Sequence, residues 1–316
     1  MARLGGMYGP DATFLGVPRA DLADPGGWAG TEIMIIGAPF DGGTSHRPGA
    51  RFGPQAIRFT DYLPHDGSRP HLALRVDPLT ELRVADAGDV EMPSGDTELS
   101  LRRLEDAVHQ ACAGGAIPVI LGGDHTIALP LLRAFAAAHG PVAVVHFDAH
   151  LDTWDTYFGA SYTHGTPFRR ASEEGLLDRS GCVHVGIRGP LFSDADLGQD
   201  SGLGFGVISA PEADDLGVAG MVQRIADRVG DRPAYVSVDI DVLDPAHAPG
   251  TGTPEAGGLT SRELLGVLRS FARINLIGAD IVEVAPSYDH AQITGIAAAH
   301  VGYELLSALA AGRAAS

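Results

Sequence analysis

The chain has 316 residues, 45% of them hydrophobic and 20% charged; it can bury the core of one large α/β domain or two modest ones and is not a disordered polymer. Its 40 acids outnumber its 22 bases, for a formal charge of −18, which excludes a nucleic-acid binder and disfavours contact with an anionic membrane surface. Every base is arginine, and a chain without lysine has no Walker A phosphate loop, no pyridoxal Schiff base and no lysine nucleophile.

Residues 1–30 are rich in Gly, Pro and Asp, and the first twenty of them lack the charged and apolar regions of a signal peptide. They read as an irregular arm, able to pack on the body or on a neighbouring subunit, and residues 31–316 read as one domain. Short Val- and Ile-rich runs then alternate with longer segments of helical period. Strands are predicted at 33–36, 82–85, 118–121, 142–147, 183–187, 207–209, 234–238 and 276–282. Helices are predicted at 98–113, 126–138, 220–229, 261–272 and 294–311. Several of the strands are apolar on both faces, as in a parallel sheet covered on both sides. The Gly- and Pro-dense stretch 37–53 is expected to run over the strand ends, and Thr260 with Glu263 has the capping-box pattern. Strand–helix alternation along the whole length, with no repeat and no linker, predicts a single three-layer α/β domain. No run reaches eighteen apolar residues, so no bilayer span is predicted. Cys112 and Cys182 fit neither a disulfide framework nor zinc-ligand spacing. A cytoplasmic protein is expected.

Three clusters of ligand-type residues follow directly on predicted strands: Gly122-Gly123-Asp124-His125, then Asp148-Ala149-His150-Leu151-Asp152, then Asp239-Ile240-Asp241. Residues two apart in an extended segment share a face, so Asp148, His150 and Asp152 point one way, as do Asp239 and Asp241. Open α/β sheets build their sites at the carboxyl ends of strands. Alone, an Asp-x-Asp is an ordinary turn or helix cap; together, four uncompensated carboxylates would repel and titrate upward. Two divalent cations balance the four aspartates, and the two histidines ligate as neutral imidazoles. Such an oxygen-rich set suits Mn²⁺, with nickel, cobalt or zinc as alternatives. Shared carboxylates would hold the ions roughly 3.5–4 Å apart and acidify a water between them. His164, on a loop beyond Asp152, is placed to shuttle a proton or hold substrate. Glu283, just after the last strand, can grip a planar cation bidentately.

With Gly49-Ala50-Arg51-Phe52-Gly53-Pro54, the run from Ser237 to Pro245 and Pro249-Gly250-Thr251-Gly252-Thr253-Pro254, these motifs resemble those of the ureohydrolase family, which includes arginase, agmatinase, guanidinobutyrase, guanidinopropionase and proclavaminate amidinohydrolase. The resemblance runs from about residue 35 to residue 303. It implies an arginase-type α/β/α sandwich, with a mostly parallel sheet of about eight strands, and two Mn²⁺ per subunit. One ion would be held by His125, Asp148, Asp152 and Asp239, the other by His150, Asp148, Asp239 and Asp241. It further implies that His164 handles protons, that Glu283 binds a guanidinium, that Asp241 stabilises the tetrahedral intermediate and that subunits form homotrimers or homohexamers. The implied reaction hydrolyses a small cationic guanidino substrate to urea and an amine, and all of these positions are intact.

The Asn and Ser set with which arginase holds an α-amino acid is not evident in 153–163. The stretch from His164 to Arg170 is most similar to the agmatinase branch, so agmatine is expected ahead of 4-guanidinobutanoate or 3-guanidinopropionate. Asp155 is the candidate partner for agmatine's ammonium, and Trp154 and Tyr157 are candidates for the pocket wall. Arg47 or Arg169 would suit a carboxylate tail. The chain has no Asn-His pair, no adjacent histidines, no Gly-x-Ser-x-Gly, no His-Glu-x-x-His and no Gly-x-Gly-x-x-Gly. Metallophosphoesterase, arginase-fold deacetylase, serine hydrolase, zincin and Rossmann dehydrogenase readings are therefore unsupported.

Overall fold

Each predicted run becomes a strand of one sheet in the computed structural model, which describes residues 12–60, 68 and 70–315. The strands are β1 (Ile33–Ala38), β2 (Val84–Asp89), β3 (Ile117–Gly122), β4 (Ala143–Phe147), β5 (Cys182–Ile187), β6 (Phe205–Ser209), β7 (Ala234–Asp239) and β8 (Leu276–Val282). They lie in the order β2-β1-β3-β8-β7-β4-β5-β6, and every pairing is parallel. The strands β1, β4, β5, β7 and β8 are buried along their whole length, whereas the edge strands β2 and β6 are partly open. The period of two divides the side chains between two cores. Ile33, Ile35, Val119 and Leu121 join one; Met34, Ile36 and Ile120 join the other. These two cores make the α/β/α sandwich.

Nine helices flank the sheet among the described residues: α1 (Gly53–Phe59), α2 (Pro78–Glu81), α3 (Thr97–Ala113), α4 (Ala128–His139), α5 (Pro167–Glu173), α6 (Asp196–Leu203), α7 (Ala210–Val229), α8 (Ser261–Leu268) and α9 (Ile293–Ala315). The predicted helix 220–229 is only the second half of α7, which begins at Ala210 and passes through a break at Gly217. The segment predicted as 126–138 opens with a 3₁₀ turn, His125–Ile127, and α8 gives way to another 3₁₀ turn at Arg269. The capping box of Thr260 and Glu263 forms in both directions. The four helices absent from the prediction are short, and three of them carry Pro in the first turn.

The first eleven residues of the expected arm lie outside the described residues. Over 12–30 the chain forms a short turn, buries Phe14, Leu15, Val17 and Trp28, and donates the Phe14 amide to Asp86 at 2.8 Å. Ile293–Ala314 contains no run of eighteen apolar residues, and although its length and composition would allow it to cross a membrane, 72% of its most apolar eighteen-residue window is buried inside the fold. It packs on β8, α1 and α8 as a core helix.

Candidate metal centre

The sheet order settles which chain segments can meet. It inserts β8 and β7 between β3 and β4, so the carboxyl ends of these four central strands are contiguous. His125 leaves β3, Asp148, His150 and Asp152 leave β4, Asp239 and Asp241 leave β7, and Glu283 leaves β8. Gly123 lets the backbone pass: a Cβ there would sit 2.4 Å from the Ala38 carbonyl oxygen. Asp124 accepts from the backbone amides of Thr126 (2.9 Å) and Gly43 (2.7 Å), which makes it a cap and a tie to the 37–53 loop. Asp152 and Glu283 hold left-handed backbone conformations, φ 54° and 64°, an unfavourable state for non-glycine residues that concentrates at functional sites.

The Nδ1 atom of His125 lies 3.2 Å from Asp148 Oδ2, 3.0 Å from Asp152 Oδ2 and 3.4 Å from Asp239 Oδ2. It is buried and has no hydrogen-bond partner. The ring's other nitrogen, Nε2, meets Ser237 Oγ at 2.8 Å, and that hydroxyl donates to Asp280 Oδ1 at 2.7 Å. Nε2 therefore carries the hydrogen, and the Nδ1 lone pair faces three carboxylate oxygens. That geometry is wrong for a hydrogen bond and right for a cation between them. His150 Nδ1 likewise lies 3.2 Å from Asp148 Oδ1 and 3.1 Å from Asp241 Oδ2. Asp148 is thus shared, one oxygen toward each imidazole.

The loops are braced around this cluster. Asp239 Oδ1 accepts the Asp241 amide at 2.8 Å, and Asp241 Oδ1 accepts the Ala149 amide at 3.0 Å. Burial and neighbouring carboxylates raise the pKa of Asp239 and Asp152, and that of Asp241 to about 6. Asp148 goes the other way: burial opposes its charge, but the His146 and His150 imidazoles outweigh it. So many buried like charges are stable only with compensation. Two donor groups have their atoms within 4.8 Å of one another, His125–His146–Asp148–Asp152 and Asp148–His150–Asp241. The buried His/Asp cluster is suited to a binuclear metal site.

His164 and Glu283 stand beside it. His164 Nδ1 is 3.3 Å from Glu283 Oε1, and Nε2 is 2.7 Å from Ser45 Oγ. Burial disfavours the His164 cation, yet Glu283 overrides this and raises the pKa to about 9. Glu283 Oε1 also accepts the His125 amide at 2.9 Å, while Oε2 is buried without a partner. A Cβ on Gly252 would come within 3.2 Å of that oxygen. In front lies a pocket of about 390 Å³ whose wall includes Arg47, His150, Trp154, Tyr157, His164 and Glu255. Trp154 and Tyr157 stack at 5.3 Å.

All the predicted ligand-type residues, with His164, Glu283, Trp154 and Tyr157, are brought to this end of the sheet. Asp155 is not: 68% exposed, it meets Arg170 at 2.6 Å and Arg169 at 3.6 Å and does not line the pocket. Sequence reasoning missed His146 and Ser237, each two residues before an aspartate of the cluster and therefore on its face.

Fold and site together define a hydrolase built on an arginase-type sandwich, with a buried cluster suited to a binuclear metal site. The chain belongs to the arginase family, whose model matches residues 31–307, and is an amidinohydrolase. The guanidinopropionase of Pseudomonas aeruginosa is 44% identical over 305 residues, 96% of this chain and 93% of that protein. The agmatinase of Cronobacter sakazakii is also 44% identical, over 276 residues, 87% of this chain and 86% of that protein. The solved structure of proclavaminate amidinohydrolase from Streptomyces clavuligerus superposes with a TM-score of 0.90 at 41% identity, covering 98% of this chain and all of that one.

Proposed function

We propose that this protein is a binuclear manganese ureohydrolase that releases urea from a linear guanidino compound whose far end is a carboxylate. The observation that carries the reading is the unpartnered His125 Nδ1 facing three carboxylate oxygens, with the unpartnered Glu283 Oε2 beside it. The donor set of His125, Asp148, Asp152, Asp239, His150 and Asp241 is oxygen-rich with two imidazoles and suits Mn²⁺. Bound there, two such ions would supply Lewis acidity and lower the pKa of water. The chain's own groups supply the rest. Glu283 holds the planar guanidinium through charge-assisted hydrogen bonds. Asp241 accepts hydrogen bonds from the substrate nitrogens as the carbon becomes tetrahedral, and His164 delivers a proton to the departing amine. Trp154 and Tyr157 keep water from the tail.

For the tail, Asp155 is engaged by Arg170 and Arg169 and does not favour an ammonium. Arg47 favours a carboxylate: its guanidinium stacks on Tyr288, 5.3 Å from the ring centre, and makes no ion pair among the described residues. Glu255, also in the wall, faces His150 at 3.9 Å. The reading therefore places 3-guanidinopropionate or 4-guanidinobutanoate ahead of agmatine. Urea release after Mn²⁺ loading should be faster with these acids than with agmatine or arginine. Arg47→Ala should lower kcat/KM for the acids by roughly 10- to 150-fold, the worth of one charge-assisted hydrogen bond, and leave agmatine almost unaffected. No urea from any guanidino compound, with both metals bound, would defeat the reading.

His164 sets an alkaline limit. Its raised pKa keeps the ring charged at neutral pH, and the proton is lost as pH climbs through about 9. The rate should fall above that pH, and His164→Asn should lower kcat by about 10²- to 10⁴-fold and erase the limb. A His164→Asn enzyme with the wild-type profile would remove His164 from the proton path.

A further inference from the structure

Behind the candidate metal centre lies a buried polar chain that the chemistry above does not use. His146 on β4 and His184 on β5 occupy paired positions of the parallel ladder, so their rings meet on one face of the sheet. His146 Nε2 lies 2.8 Å from Asp148 Oδ2, and the two Nδ1 atoms are 2.6 Å apart. His184 Nε2 reaches Asp200 Oδ1, on α6, at 3.1 Å, and Thr153 Oγ donates to the same oxygen at 2.8 Å. His146, His184 and Asp200 are at most 1% exposed. Phe168 packs on the first ring at 4.4 Å and Phe205 stacks on the second at 4.0 Å. Both ends of the chain therefore grip one segment, residues 148–153, which carries three of the candidate ligands.

We propose that His146, His184 and Asp200 are positioning residues, a clasp that fixes the orientation of the shared carboxylate Asp148 and so sets the affinity of the centre for its metal ions. The hydrogen-bond directions follow from the partners. Asp148 accepts, so His146 carries hydrogen on Nε2. With that hydrogen on Nε2, the ring's Nδ1 is the acceptor in the 2.6 Å contact and His184 Nδ1 donates to it. A proton then lies between His184 Nε2 and Asp200 Oδ1. His184 and Asp200 together lock His146 in the tautomer that donates to Asp148, and Asp148 Oδ2 cannot swing away from His125. His146 itself lies within reach of the first donor group, but its nearest nitrogen is spent on Asp148, whereas His125 Nδ1 is not spent on anything.

This rests on the reading of the cluster as a metal centre. The test is Mn²⁺ affinity, by competition with a chelator on stripped and reloaded full-length protein, alongside metal stoichiometry and thermal unfolding without metal. His184→Leu should bind two ions at saturation but 10- to 100-fold more weakly, the usual cost of losing a hydrogen-bond support to a metal ligand. His184→Gln, whose amide can donate to His146 Nδ1, should recover most of the affinity. Thr153→Val, which removes only the far anchor, is the milder probe if His184→Leu does not fold, and should weaken binding a few-fold. Wild-type affinity in these variants, with only the metal-free unfolding temperature lowered, overturns the clasp and leaves a packing role. A His146→Phe protein that binds one ion fewer also overturns it, making His146 a ligand. A wild-type chain that binds no Mn²⁺ overturns the metal-centre reading, and the clasp with it.

Discussion

Replacing Asp148 by alanine should abolish urea release at any substrate concentration and leave neither Mn²⁺ ion held by the chain. Asp148 is the side chain that both donor groups share, with Oδ2 toward His125 at 3.2 Å and Oδ1 toward His150 at 3.2 Å. Every other carboxylate of the cluster is raised in pKa by burial and its neighbours, whereas Asp148 is held low by the imidazoles of His146 and His150. It is the anion the cluster is built to keep. Its removal takes an oxygen from each donor group and frees the His146 ring that was fixed to it. The remaining aspartates then face one another with less to organise them, so neither ion is held in place. Metal content by mass spectrometry and urea release in the same preparation measure this. Full occupancy with near-normal turnover would sink the assignment of the cluster. Circular dichroism of the metal-free variant separates the expected loss of metal and activity from loss of the fold.

The parts of this protein that were legible in its sequence are those written in local pattern. The eight strands were found because central parallel strands are apolar on both faces, and β1, β4 and β7 are buried from end to end. The ligand-type residues were found because they fall immediately after those apolar runs. The strand order was not legible: nothing local says that β8 lies between β3 and β7, yet that insertion brings Glu283 to His125 across 158 residues. The short helices α1, α2, α5 and α6 hold too few residues for a 3.6 period to show. The surroundings of Asp155 were hidden for a related reason. Its partners Arg169 and Arg170 sit on α5, one of those unseen helices, and Asp155 does not line the pocket. His146 and His184 looked like ordinary strand residues. Polar side chains within strands buried on both faces were the available signal, but their partnership needed the register of β4 on β5.

Glu283→Gln should separate substrate binding from metal binding, which alanine at the same position would not do cleanly. Oε1 of Glu283 accepts the backbone amide of His125 at 2.9 Å. A glutamine carbonyl can keep that bond, so His125 stays in place and two Mn²⁺ remain bound. The other oxygen, buried and without a partner beside Gly252, becomes an NH₂ group that presents donors to a guanidinium consisting only of donors. Losing one side of a buried charge pair costs about 2–5 kcal/mol, so kcat/KM should fall roughly 30- to several thousand-fold. A second signature accompanies the first. The Glu283 charge is what lifts His164 to about 9 against the opposing effect of burial. Without that charge the pKa drops, His164 loses its proton at lower pH, and the alkaline limb of the rate profile moves down. Metal analysis, substrate titration and the pH profile read the three consequences independently. An enzyme that keeps its wild-type kcat/KM would show that the guanidinium is held elsewhere. One that loses metal along with activity would make Glu283 a support of His125 rather than a substrate-binding carboxylate.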